Sequence, residues 1–94
     1  MVRKSVEKKL IALSSEITSL RSDLRVVEDQ LIHFEDEAED ARLRALVSET
    51  PQANKAHREA SSTVSAFRRD RDHKLAKIAK LERRQDEMLD RLFS

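Results

Sequence analysis

The sequence predicts an all-α protein: two long helices in an antiparallel coiled-coil hairpin, with two hairpins paired into a four-helix bundle. Three observations carry this expectation. Apolar residues recur at alternating steps of four and three along the first half of the chain. The only proline, Pro51, sits near the middle of a chain that has no glycine. Beyond Pro51 the first apolar frame fails and a shifted one replaces it.

Composition sets the choice that periodicity must decide. The 94 residues suit one small domain, and 39% of them are charged while 3% are aromatic. Such a chain is either a long helix or coiled coil, or it is disordered. A disordered segment has no reason to sustain a heptad frame, so the frame decides. There is no cysteine, hence no disulfide framework and no thiolate metal site. No apolar run approaches the roughly 20 residues of a membrane span, and no signal-peptide core is present. The chain therefore reads as soluble and cytoplasmic, with no membrane partner.

The first helix is expected over about residues 3–47. Its frame runs Val6, Leu10, Leu13, Ile17, Leu20, Leu24, Val27, Leu31, Phe34, Ala38, Ala41 and Ala45, with no polar interruption. A spacing that averages about 3.5 residues keeps one seam turned toward a partner helix as the pair supercoils. Leu10, Leu13, Ile17, Leu20, Leu24, Val27, Leu31 and Phe34 form the seam assigned to helix pairing and self-association. Toward the break the seam shrinks to alanine, which lets helices approach closely. Ile11, Val26 and Ile32 lie off the seam, and this apolar excess argues for a second hairpin. The acidic run Glu35 to Asp40 reads as a solvated face that meets basic residues of the other helix.

The turn is expected at residues 48–50. Proline inside a helix removes a hydrogen bond and clashes with the preceding turn, at about 3 kcal/mol, but it fits the first helical position. Thr50 is the candidate N-cap, with Ser48 a second. One kinked rod would need the first frame to continue. It would then place Gln52, Lys55, Glu59, Ser62, Ala66, Arg69, His73, Ala76, Lys80, Arg83, Glu87 and Asp90 in the core, nearly all of them charged or polar. A turn is the better reading.

The second helix, over about residues 51–92, follows the frame Ala53, His57, Ala60, Val64, Phe67, Arg71, Lys74, Ile78, Leu81, Gln85, Met88 and Leu92. A turn centred near residue 49, allowing several residues of slip, pairs Leu10 with Met88, Ile17 with Leu81, Leu20 with Ile78, Leu31 with Phe67 and Phe34 with Val64. Leu24 and Val27 then face Lys74 and Arg71, whose long stems can cover them.

Functional signals are sparse. There is no glycine-rich phosphate loop and no nucleophile motif, so no enzyme, cofactor or catalytic residue is expected. His33, between Asp29 and Glu37 at four-residue steps, has the geometry of a metal site, but such triplets arise by chance in a helix this charged, and no metal is assigned. His57 belongs to the seam and His73 to a solvated basic face. Arg68, Arg69, Lys77, Lys80 and Arg84 form a basic stretch that suits nucleic acid or an acidic partner. Asp70, Asp72 and Glu82 interrupt it, and no aromatics are interleaved for base stacking. Leu43, Leu46 and Val47, at i, i+3 and i+4 near the turn, are the preferred contact for a partner protein.

The run from Ala41 to Pro51, with His57-Arg58-Glu59-Ala60, resembles a stretch in small actinobacterial coiled-coil proteins of unknown function, over most of the chain. That likeness implies a helical fold and no activity. Ser48-Glu49 at the turn resembles the tip of the coiled-coil hairpins of Gre-type transcript-cleavage factors, which enter the RNA polymerase secondary channel. Leu46 and Val47 stand where that family needs an acidic residue, and its second domain has no counterpart in these 94 residues. The likeness therefore does not imply metal-assisted cleavage. The expected function is a non-enzymatic protein-interaction or structural module, with a transcription-associated or nucleic-acid-binding hairpin as the alternative.

Overall fold

The structure, a computed structural model, describes residues 2–93. It contains two helices, α1 over Val2–Ser48 and α2 over Pro51–Phe93, and the described residues include no strand. The chain is an all-α helical hairpin. Helices of 47 and 43 residues form because nothing inside either one breaks them: glycine is absent, and Pro51 occupies the first position of α2.

The turn is Glu49-Thr50, shorter by one residue than the expected 48–50, because Ser48 stays helical. Glu49 closes α1 in the left-handed region at φ 50°, and its N–H donates to the Ala45 carbonyl at 3.1 Å. This single-bond left-handed cap satisfies one of the orphan carbonyls at the helix end. Glycine would be the usual residue here, and a side chain in this conformation costs about 1 kcal/mol. Thr50 then caps α2 as expected. Its Oγ1 accepts from the Ala53 N–H at 3.1 Å, and its carbonyl accepts from Asn54 at 3.0 Å.

Two compact units are distinguished along the hairpin, each built from one stretch of α1 and one of α2. The first comprises Met1–Leu24 and His73–Ser94. Its core is Leu13, Ile17 and Leu24 from α1 with Ile78 and Leu81 from α2, flanked by half-buried Leu20 and Met88. At its flank Arg21 Nη2 lies 3.2 Å from Glu82 Oε2. The second unit is Arg25–Asp72. Val27, Leu31 and Val64 are its buried residues, and Ala38, Ala41, Ala45, Ala53 and Ala60 are half-buried toward the turn.

Every position of both apolar frames with a described side chain is buried or half-buried, including the polar members His57, Arg71, Lys74 and Gln85. Phe34 packs against Phe67, with ring centroids 4.7 Å apart. That contact lies three residues along α2 from Val64, within the few residues of slip the turn allows.

Candidate interaction surfaces

Because α2 of the same chain covers the α1 seam, Leu10, Leu13, Ile17, Leu20, Leu24, Val27, Leu31 and Phe34 are buried or half-buried. They serve the fold.

The expected partner contact lies on the outer face of the second unit. Leu43, Leu46 and Val47 are 47%, 62% and 85% exposed. At about 100° per residue they sit on the side of α1 opposite the alanine seam. They do not complete the helix caps either. A left-handed cap is reinforced by an apolar contact between the residue whose carbonyl accepts the capping bond and the capping residue, which here are Ala45 and Glu49. A hydrophobic staple on α2 would join Glu49 and Asn54, neither of them apolar. The turn is held by backbone and Thr50 hydrogen bonds, leaving the three apolar side chains unused.

On the neighbouring flank, a cleft of about 290 Å³ is lined in part by Glu35, Glu39, Arg42, His57 and Arg68. Its charges are matched within the unit. Arg42 donates to both Glu39 oxygens, at 2.6 and 2.9 Å, and Arg68 lies 3.7 Å from Glu35. The hydrogen bonds from Arg42 hold the Glu39 carboxyl below the usual range, against a small opposing effect of desolvation. The Arg42 guanidinium is raised in turn, chiefly by the same hydrogen bonds. The cleft presents paired charge.

The basic residues of α2 divide between the units. Arg68 is taken up by Glu35, the one acid of the α1 run that reaches a basic residue of α2 through a described ion pair. Arg69 is exposed and forms no ion pair among the described residues. In the first unit Lys77, Lys80 and Arg84 line an open groove of about 550 Å³ with His73, Ala76, Leu81 and Glu16. Sequence reasoning found these cations but not their common groove, which needs α1 to supply Glu16 as the opposite wall.

His33 Nε2 lies 3.1 Å from Glu37 Oε1, and Asp29 does not join them. Among the described residues no three His, Asp or Glu side chains gather as a metal site. No described helix is long and apolar enough to cross a membrane. No protein-family model matches the chain, and no curated protein or solved structure was found similar to it.

Proposed function

We propose that the protein is a non-enzymatic, cytoplasmic helical-hairpin module that captures a partner protein through the outer face of α1 beside the turn. The exposure of Leu43, Leu46 and Val47 carries this reading, since neither the seam nor the caps use them. An apolar patch rimmed by charge is what a partner surface would bury, and full burial of a leucine or valine contributes about 1.5–3 kcal/mol. Arg42 and Arg44 flank the patch on the same helix and would serve as its polar rim.

The alternative reading, nucleic-acid binding by α2, rests on the exposed Arg69, Lys77, Lys80 and Arg84. It is the weaker one. Arg68 is already matched by Glu35, Glu16 lines the same groove as the lysines, and no aromatic side chain stands among the cations. Self-association also belongs to the proposal, and the residues off the seam are its candidates.

Affinity capture with the wild-type chain and with Leu43→Ser/Leu46→Ser tests the tip. A specific bound protein, lost on substitution while the melting temperature stays put, is the expected result. A partner retained by the variant would move the binding site away from the tip.

A further inference from the structure

The groove of the first unit has an unusual charge arrangement. His73, Lys77, Lys80 and Arg84 fall within an arc of about 60° on α2, at about 100° per residue. All four are exposed, and none forms an ion pair among the described residues. Buried Leu81 and exposed Ala76 also line the groove, and Glu16 is its one carboxylate. Lys77, Lys80 and Arg84, like charges at three- and four-residue steps, repel one another, so a ligand with the opposite row would relieve that cost.

The same chain carries such a row. Asp29, Asp36 and Asp40 of the second unit fall within about 40° on α1, on the side facing away from its seam. All three are exposed, and none of the described ion pairs uses them. The four-residue step from Asp36 to Asp40 matches the step from Lys80 to Arg84. Glu35, Glu37 and Glu39 are engaged by Arg68, His33 and Arg42, which leaves the aspartates as the open charges of the acidic run. Off-seam apolar residues offer no comparable row, because Val26 and Ile32 of the same unit lie about 120° apart around α1.

We propose that the basic groove docks the acidic face of a second copy of this chain, with Lys77, Lys80 and Arg84 set against Asp29, Asp36 and Asp40. Self-association is then electrostatic and salt-sensitive. It does not rest on the tip reading: Leu43→Ser/Leu46→Ser should leave it unchanged, so the two proposals fail separately.

Sedimentation velocity over a concentration series tests it, at about 0.05 M and about 0.5 M salt, where the screening length falls severalfold. Self-association at low salt should weaken at least tenfold at high salt. Lys77→Glu/Lys80→Glu/Arg84→Glu should weaken it at least tenfold, and so should Asp29→Lys/Asp36→Lys/Asp40→Lys. A chain carrying all six substitutions keeps its net charge and should associate again. Circular dichroism melts confirm that each variant is folded. A wild-type chain that stays monomeric at low salt overturns the proposal. So does association that survives high salt and charge reversal, which would point to Ile11, Val26 and Ile32. A six-fold variant that stays monomeric overturns it too. Binding of the monomer to a DNA or RNA oligonucleotide, lost in the Lys77 variant, would hand the groove to nucleic acid instead.

Discussion

At the residue scale the turn shows where sequence reasoning stops. Thr50 was legible as an N-cap because a hydroxyl directly before proline at the start of a helix has few other uses. Glu49 was not. A left-handed residue is normally announced by glycine or asparagine, and this chain puts a glutamate there. Glu49→Gly should therefore stabilise the hairpin by about 1 kcal/mol, measured by chemical denaturation. Thr50→Ala should destabilise it by about 1 kcal/mol, while Thr50→Ser has little effect.

The Glu39–Arg42 pair makes a prediction about pH. Because the folded carboxyl lies below its ordinary 4.5, its contribution is complete above the unfolded value. It is lost as pH falls through the folded one. The pair is exposed, so the effect on stability is small. An NMR titration of the Glu39 side chain reads it directly. Arg42→Ala should raise the Glu39 midpoint toward the ordinary carboxylate range, and an unmoved midpoint would deny Arg42 its role.

At the element scale the heptad frames located both seams, because burial on a helix repeats with its turn. Polar frame members follow the same rule. Arg71 and Lys74 are half-buried while Val27 and Leu24 are buried, which fits long stems lying over an apolar floor. Register was the less legible part. Seam residues recur every three or four positions, so pairing Phe34 with Val64 or with Phe67 preserves the apolar pattern equally well. Two rings can stack, and the geometry of the turn chooses. Ile17→Ala removes a side chain only 4% exposed from the centre of its cluster, and should cost about 2–5 kcal/mol.

For the molecule as a whole, the seam that makes the fold and the apolar and charged residues left exposed lie on different faces of the same helices. Sequence periodicity identified the face that holds the hairpin together. The faces left over were visible only as residues outside the frame, and their status depended on whether the caps or the other helix would consume them. Leu43, Leu46 and Val47 stay outside because Glu49 and Thr50 close the turn without them. Lys77, Lys80 and Arg84 are exposed and form no ion pair among the described residues.

Thermal unfolding separates the seam from the exposed apolar face. Leu43→Ser/Leu46→Ser should melt within a few degrees of the wild-type chain, since exposed substitutions change stability by about 0.5 kcal/mol or less. Ile17→Ala should lower the melting temperature by roughly 10 °C or more. If the tip variant falls as far as the core variant, the apolar face beside the turn belongs to the fold and is not a free surface for a partner.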